Sequence, residues 1–213
     1  MSCTLLFIIL MTYGYQFMIS KKEMMEHYVI DPQDSYFVNC VPPIENITVV
    51  VYDPSWPEIY SVLESKVKNK LGPNLLKIDH VGSTAVPGLA AKPVIDIDVT
   101  VADAADEGIY LLALENLGYE LIVREPRPHG HRLFHHENHI VNLHIFTWDT
   151  PETARHLLFR DWLRQSEKDC KLYADAKFEA VKGCSFDIQK YHENKSKVVH
   201  DIYQRIFKHL GYI

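Results

Sequence analysis

The stretch HVGSTAVPGLAAKPVIDIDV, residues 80–99, begins with a small-residue turn at Gly82 and Ser83 and ends in an apolar run that contains two acids, Asp96 and Asp98. Residues i and i+2 of a β-strand project from the same face, so the two carboxylates lie side by side. Carboxylates this close repel each other and have raised pKa values unless a cation lies between them. Oxygen ligands of this kind, together with water and phosphates, suit Mg²⁺. The alternative is an edge strand whose acids face solvent.

The composition is that of an ordinary globular chain. Its 213 residues are enough for one sizeable core, and 47% of them are hydrophobic and 23% charged. With a net charge of −6, the chain has no overall positive charge of the kind that binds a nucleic-acid duplex. We therefore expect no long nucleic acid as a partner. The cysteines contain no CxxC pair, which argues against zinc ribbons and disulfide frameworks and favours a reducing, cytoplasmic location; they are Cys3, Cys40, Cys170 and Cys184.

The amino-terminal segment, residues 1–44, shows no sustained periodicity and ends in the breaker Pro42-Pro43. Its apolar run at residues 5–11 is too short to span a bilayer and lacks the positive segment of a secretory signal. We therefore expect a poorly ordered or loosely packed extension and no membrane partner.

Downstream of this extension, strands alternate with helices up to about residue 150, and the chain is helical from there onward. We predict strands at 47–52, 76–81, 94–101, 119–123, 132–135 and 140–146, the last two forming a hairpin that turns at Glu137-Asn138. We predict helices from Asp53-Pro54 to residue 71, and at 104–117, 151–166, 168–182 and 187–210. This pattern predicts an α/β (α+β) core at 45–150 and a helical tail at 151–213 that packs on the core.

The turn that precedes the acids has the chemistry of a phosphate site. Glycine permits a sharp turn after a strand, and a serine hydroxyl with adjacent amides can hold a phosphate. The order is strand, Gly82-Ser83 turn, small-residue helix and acidic strand, with twelve residues between Ser83 and Asp96. This order resembles the nucleotidyltransferase superfamily, the fold that includes DNA polymerase β.

Five segments in order along the chain resemble the GrpB family. They are VYDPSWPEIY (51–60), IDHVGSTAVPGLAAKPVIDIDV (78–99), HRLF (131–134), VNLHIFTWDTPE (141–152) and LLFRDWLRQSEKDCKLYADAKFEAV (157–181). The resemblance covers about residues 49–210 and leaves residues 1–44 outside. It implies a minimal nucleotidyltransferase-like mixed sheet with flanking helices and a C-terminal helical tail, and it lends no settled substrate.

Superfamily enzymes generally use a third carboxylate on a neighbouring strand, and this chain departs from that pattern. The equivalent strand, 140–146, has Asn142 and His144 on one face and aliphatic side chains on the other. A neutral imidazole can ligate a metal or accept a proton from an attacking hydroxyl, which makes His144 a catalytic candidate. The alternative is a histidine satisfied by hydrogen bonds. If the two strands are neighbours, as in the superfamily, we expect the ring of His144 close to Asp96 or Asp98.

Basic residues near the acids are candidate nucleotide contacts. Lys92 immediately precedes the acidic strand, and Arg132 belongs to the segment HRLF. Arg160, in the first helix of the tail, has a guanidinium fork that matches phosphate oxygens. The alternatives are solvation for Arg132 and pairing with Asp161 or another acid of the tail for Arg160. Two lysines of the tail also belong to the GrpB-like pattern and are further candidates for the same cleft: Lys177 and Lys195.

Five histidines crowd residues 129–139: His129, His131, His135, His136 and His139. They lack the i, i+4 spacing of HExxH metalloproteases and have no partnering cysteine cluster. We expect most of them on an exposed hairpin.

Two functions fit these observations. In the first, Asp96 and Asp98 hold Mg²⁺, Gly82 and Ser83 position the phosphates of a nucleoside triphosphate, and an unknown small-molecule or protein acceptor attacks the α-phosphorus. The second is a non-catalytic module that binds a nucleotide or a CoA-like ligand, which the missing third acid favours.

Overall fold

A six-stranded mixed sheet organises the chain. The computed structural model describes residues 19–26, 36–38, 46–126, 130–136, 141–184 and 186–213. The strands are β1 Tyr36–Phe37, β2 Lys77–Val81, β3 Ile95–Val101, β4 Tyr119–Glu125, β5 His131–His136 and β6 Val141–Thr147. They lie in the order β1-β4-β5-β6-β3-β2. The β3–β6 pair is parallel and the other neighbouring pairs are antiparallel, which confirms the mixed sheet predicted from the sequence.

Helices flank this sheet and follow it along the chain. They are α1 Lys21–Met25, α2 Trp56–Leu71, α3 Leu111–Glu115, α4 Pro151–Gln165, α5 Glu167–Ala180 and α6 Ile188–His209. Proline begins α4, where its missing N–H leaves no bond unmade. The side chains of Ser166 and Asp187 accept backbone N–H groups at the starts of α5 and α6. The C-terminal helices are thus confirmed, and among the described residues no helix has the length and apolar character to cross a membrane.

The alternation of side chains along β3 assigns the two faces of the sheet. Ile95, Ile97 and Val99 are buried in the main core with side chains of α2 and α3. Asp96 and Asp98 project from the opposite face, where a side chain of α4 contacts Asp98. The candidate site therefore lies between the sheet and the C-terminal helices.

The predicted strand at 47–52 is wrong. The segment forms one isolated bridge, between Val50 and Ala91. The helix expected from Asp53 begins at Trp56, since the Asp53 carboxylate accepts a backbone N–H within a preceding turn.

The predicted helix at 104–117 is also interrupted. It consists of a 3₁₀ turn at Glu107–Ile109 and the short α3. The Asp103 carboxylate accepts a backbone N–H two residues on, which competes with helical hydrogen bonding. Tyr110 has φ −140°, outside the helical range. Strands β5 and β6 do pair antiparallel, while their predicted turn at 137–138 lies outside the described residues.

Two segments of the predicted extension pack on the rest of the chain. Met24 of α1 is 3% exposed, and Arg155 of α4 donates a hydrogen bond to its carbonyl at 2.6 Å. β1 adds two residues to the edge of the sheet beside β4. The expectation of a loosely packed extension therefore does not hold for these two segments.

Candidate functional site

The parallel pairing of β3 with β6 brings the predicted catalytic residues together. Asp96 lies opposite Asn142, and Asp98 lies opposite His144. Residues opposite each other in a ladder project from the same face, so these four side chains share the face toward α4. The expectation that His144 lies close to the acids is met, because its Nε2 is 4.0 Å from Oδ1 of Asp96.

The Asp96 carboxylate is held by polar partners. Asn142 donates its Nδ2–H to Oδ1 of Asp96 at 2.8 Å. Burial on its own would raise the pKa of Asp96, but His144 and Asn142 stabilise the charged form and bring the pKa below its ordinary value. A raised pKa is expected for the two acids only if nothing sits between them, and here the partners of Asp96 lower its pKa. The carboxylate is held as an anion.

Asp98 is the most buried acid of the site, with 1% of its surface exposed. Nδ1 of His156, on α4, donates to its Oδ2 at 2.8 Å. Burial would lower the pKa of His156, but the Asp98 carboxylate and then Glu152 outweigh burial and raise it well above its ordinary value. The second oxygen of Asp98, Oδ1, is buried and has no hydrogen-bond partner among the residues that the structure describes.

His156 is a site residue that the sequence interpretation missed. Its Nε2 lies 3.5 Å from Oε1 of Glu152, one helical turn earlier in α4. The i, i+4 spacing of these two residues, directly after the strand that carries His144, was the available signal. Only the packing of α4 across the sheet shows that the imidazole meets Asp98.

The turn after β2 approaches Asp96 very closely. Gly82 has φ +69°, and a Cβ built on it would lie 2.2 Å from Oδ2 of Asp96. Glycine is therefore required twice, for its backbone conformation and for the space that it leaves. The predicted small-residue helix that follows is only a 3₁₀ turn, Ser83–Ala85.

A buried lysine reaches this turn from α5. Lys177 is 2% exposed, and its Nζ donates to Oγ of Ser83 at 2.9 Å and to the carbonyl of Ala90. Burial lowers the pKa of Lys177 to about 7. The predicted phosphate turn is thus joined to the helical tail by a lysine that the GrpB-like pattern had suggested.

Two further lysines act on ionisable groups of α5 and α6. Burial lowers the pKa of His192, on α6, to about 4, and the charges of Lys195 and Lys92 lower it further, while Asp96 opposes them. Lys195 likewise contributes to the lowered pKa of Lys177. The charges of Lys92 and Lys195 therefore act on His192, and that of Lys195 also acts on Lys177.

Arg132 does not join the site. It lies opposite Ile145 in the β5–β6 ladder and so shares the face of the main core. Its Nε donates to Glu107 at 2.7 Å, and its Nη1 donates to the carbonyl of Gly130. Alternation on β5 instead turns the adjacent His131 toward the acids, where its Nε2 lies 2.9 Å from Nδ1 of His144.

Arg160, on α4, is hydrogen-bonded to the edge strand β2. Its Nη1 donates to the carbonyl of His80 at 3.0 Å, and its Nε donates to Asp161 at 2.8 Å. Arg164, one turn later, donates to the carbonyl of Ala85. The guanidinium of Arg160 is therefore better described by the alternative, pairing with Asp161, than by a group that is free to bind a phosphate.

The residues present suit a cation that is shared with a ligand. Within the described ranges, no three His, Cys, Asp or Glu side chains are arranged to hold a metal ion by themselves. Mg²⁺ is commonly bound by one or two carboxylates that are completed by substrate phosphates. The buried Oδ1 of Asp98, which has no hydrogen-bond partner in the described part of the chain, fits that donor set, with Asp96 two residues away.

Comparison with known proteins finds clear relatives. The sequence model of the family described as GrpB protein matches residues 46–205. The UPF0157 protein BH1888 of Halalkalibacterium halodurans is 42% identical over 160 residues, which are 75% of this chain and 82% of that protein. The crystal structure of the conserved protein GrpB from Enterococcus faecalis aligns with a TM-score of 0.62 at 28% identity, covering 73% of this chain and 99% of the other. The Cid1 poly(U) polymerase aligns over 61% of this chain and 44% of its own with a TM-score of 0.40 at 14% identity, a likeness too weak to support an argument.

We expect Gly82→Ala to destabilise the fold more than Gly88→Ala. Both glycines have positive φ, but a Cβ at Gly88 has no atom within 4 Å, whereas at Gly82 it meets Asp96. Positive φ disfavours alanine at both positions, and the Gly82 conformation, with ψ −168°, is essentially restricted to glycine, at a cost of roughly 1–3 kcal/mol for other residues. Overpacking against Asp96 adds roughly 1–3 kcal/mol at Gly82 alone. Urea unfolding measures both variants, and equal losses would show that Asp96 moves aside without cost.

We expect Asp98→Asn to lower the pKa of His156, because the carboxylate is the main influence that raises it. NMR titration of the His156 ring in the full chain measures the change. Asp175→Asn, which removes an exposed acid paired with Lys171, is the control and leaves that titration unchanged.

The same pair gives stability a defined pH dependence. The pKa of His156 is raised in the folded state, so its contribution is complete below about pH 6.5 and is lost as the pH rises through the raised value. The difference in unfolding free energy between wild type and His156→Gln therefore shrinks above about pH 6.5, by at most about 1.4 kcal/mol per pH unit. A difference that grows with pH would contradict the assignment.

Proposed function

The chain belongs to the GrpB family, and we propose that it transfers a nucleotidyl group from a nucleoside triphosphate to a hydroxyl acceptor with the help of Mg²⁺. The observation that carries the proposal is the buried Asp98 carboxylate, whose Oδ1 has no hydrogen-bond partner among the described residues. It lies beside Asp96, which itself touches the Gly82 turn. The acids that would bind the cation and the turn that would bind the phosphates are therefore in contact.

The two acids and the turn would divide the work of binding. Asp96 and Asp98 would hold the cation, which when bound offsets charge on the phosphates and on the departing pyrophosphate. Ser83 and the backbone of its turn would contact phosphate oxygens. Lys177 donates a hydrogen bond to the Ser83 hydroxyl, so the hydroxyl is positioned before a ligand binds.

His144 is the candidate base of the reaction. Its Nε2 would accept the proton of the acceptor hydroxyl, giving an imidazolium. The hydroxyl oxygen would bond to the α-phosphorus while the bond to the bridging oxygen breaks. Pyrophosphate would leave with that electron pair. The Asp96 carboxylate near Nε2 would stabilise the imidazolium that results.

A second candidate is a binding module without turnover. On the strand where the superfamily generally has a third acid, this chain has Asn142 and His144, and Asn142 already donates to Asp96. On this reading the site retains a nucleotide or CoA-like ligand and catalyses nothing.

The acceptor in the first proposal is a small molecule or a protein hydroxyl, because the net charge of −6 disfavours a long nucleic acid.

Calorimetry followed by an activity assay separates the two proposals. ATP would be titrated into the full chain with and without Mg²⁺, and pyrophosphate release would then be measured over a panel of hydroxyl acceptors. Mg²⁺-dependent binding with release supports transfer, whereas binding without release over the panel supports the module. Absence of Mg²⁺-dependent binding for any nucleoside triphosphate would remove both.

We expect Asp98→Asn to weaken Mg²⁺-dependent ATP binding by roughly tenfold or more, because it removes one charged ligand. The amide oxygen of Asn still accepts from His156, so the fold survives, which a thermal melt checks. Asp175→Asn is the matched control and keeps wild-type affinity. Unchanged Mg²⁺-dependent affinity in Asp98→Asn would exclude the proposed cation site.

We expect His144→Ala to lower pyrophosphate release by roughly 10²-fold or more while ATP affinity stays near that of the wild type, as for loss of a general base. Paired calorimetry and rate measurements give the two quantities. A loss of Mg²⁺-dependent affinity would instead make His144 a ligand, and unaltered release would remove it from the reaction.

A further inference from the structure

Two arginines of α4 are hydrogen-bonded to the two ends of the Gly82 turn (residues 82–85). Nη1 of Arg160 donates to the carbonyl of His80, just before the turn, at 3.0 Å. One helical turn later, Nε and Nη2 of Arg164 donate to the carbonyl of Ala85, the last residue of the turn, at 3.0 and 2.7 Å. Neither arginine has a part in the function proposed above.

We propose that Arg160 and Arg164 are positioning residues that hold the Gly82 turn in the conformation that binds phosphate. They act through the backbone of the turn and do not contact the ligand themselves. The inference rests on the proposed function, because that function assigns the phosphate contacts to Ser83 and the backbone of this turn.

The Gly82 turn depends on support from other elements because its own structure is short. Gly82 has φ +69° and ψ −168°, and glycine has more backbone freedom than any other residue. The 3₁₀ turn that follows has three residues, Ser83–Ala85, and the N–H of Val86 donates to the carbonyl of Ser83 at 3.2 Å. Hydrogen bonds of a 3₁₀ turn have poorer geometry than those of an α-helix. Contacts from outside therefore help to fix the conformation of this turn.

The two guanidinium groups are themselves held by a shared acid. Oδ1 of Asp161 accepts from Nε of Arg160 at 2.8 Å and from Nη1 of Arg164 at 3.3 Å. Two cations at i and i+4 of a helix repel each other, and the carboxylate between them offsets that repulsion. Each planar guanidinium thus has some of its donors on Asp161 and others on a carbonyl at one end of the turn.

The nitrogens of both guanidinium groups are occupied by protein oxygens. In Arg160, Nε and Nη2 donate to Asp161 and Nη1 donates to the carbonyl of His80. In Arg164, Nη1 donates to Asp161, and Nε and Nη2 donate to the carbonyl of Ala85. This arrangement favours a role in holding the turn over direct binding of a phosphate.

The direction of the peptide groups decides whether such a turn binds phosphate. Backbone N–H groups and hydroxyls donate to phosphate oxygens, whereas a carbonyl oxygen in the same place repels them. An arginine that binds a carbonyl opposes rotation of that peptide plane, and here a plane on each side of Gly82 and Ser83 is bound. The turn also has to keep its close approach to Asp96, where a Cβ on Gly82 would have no room. The two arginines therefore hold the turn in place beside the acids.

Two simpler roles make different predictions. If the arginines only stabilise the fold, replacing one lowers the melting temperature and leaves the affinity for a ligand unchanged. If an arginine binds a phosphate directly, or attracts it by charge alone, the free protein keeps the wild-type turn when the arginine is replaced, and a lysine in its place keeps the affinity.

The conformation of the turn is measured first, by NMR of the full chain without nucleotide. Arg164→Met keeps an aliphatic side chain and removes every donor, so we expect the backbone chemical shifts of Gly82 and Ser83 to change in this variant. Lys171→Met is the matched control, because it removes a cation of α5 that is paired with Asp175 of its own helix. It keeps the wild-type shifts at both positions.

The affinity for Mg²⁺-ATP is measured next, by calorimetry at a temperature at which thermal melts show each variant folded. We expect Arg164→Met to weaken binding by roughly tenfold or more, as for groups that orient a ligand-binding group. Arg160→Met, which frees the other end of the turn, weakens binding in the same way. Lys171→Met keeps the wild-type affinity.

A second variant keeps the inference testable if Arg164→Met does not fold. Arg164→Lys retains the positive charge and replaces the two donors to Ala85 by a single ammonium group. We expect changed shifts at Gly82 and Ser83 and a roughly threefold loss of affinity, as for the loss of one hydrogen bond. The proposal is overturned if the folded variant, methionine or lysine, keeps the wild-type shifts. It is also overturned if the shifts change and the affinity does not.

Failure of this inference can be told apart from failure of the proposed function. If the wild type and Arg164→Met bind Mg²⁺-ATP equally well, this inference alone is wrong. If the wild type binds Mg²⁺-ATP and releases no pyrophosphate, nucleotidyl transfer is wrong, and the affinities of the variants still decide the positioning role. If the wild type does not bind Mg²⁺-ATP, the proposed function and this inference are both overturned.

Discussion

The site depends on two carboxylates held on one face of a buried strand. Such a pair is stable only where other groups compensate its charge, because burial disfavours ionised acids. Here the compensation comes from two different elements. The β6 strand supplies Asn142 and His144 to Asp96, and α4 supplies His156 to Asp98. The position of the tail on the sheet is thereby tied to the electrostatics of the site, since α4 cannot move without leaving Asp98 unpaired.

The turn after β2 follows from the same constraint. Gly82 leaves the space that Asp96 occupies, so the turn lies against the acid. Lys177, on α5, donates a hydrogen bond to the neighbouring Ser83, although burial lowers the pKa of Lys177 and so disfavours its charged form. A lysine with a pKa of about 7 gains its proton more readily when an anion approaches.

The sequence predicted those parts of the fold that local patterns determine. The β2 strand, the Gly82 turn and the alternation of Asp96 and Asp98 follow from spacing, and the approach of His144 follows from the superfamily resemblance. Contacts between distant elements could not be predicted this way. On β5, the prediction selected Arg132, whereas period two assigns Arg132 to the buried core face and turns His131 to the site. Which of these two adjacent residues faces the site depends on the register of the whole ladder, and a local sequence pattern does not determine that register.

The missing third acid changes what the site requires of a ligand. Opposite Asp96, a carboxylate in place of Asn142 would add a third buried anion to the same face, and a further cation would be needed to balance it. Asn142 instead donates a hydrogen bond to Asp96, and His144 places an imidazole beside the same acid. Beside Asp96 this chain therefore has a hydrogen-bond donor and an imidazole. On the proposed function, such a site needs one bound cation rather than two, and the substrate's phosphates complete its coordination.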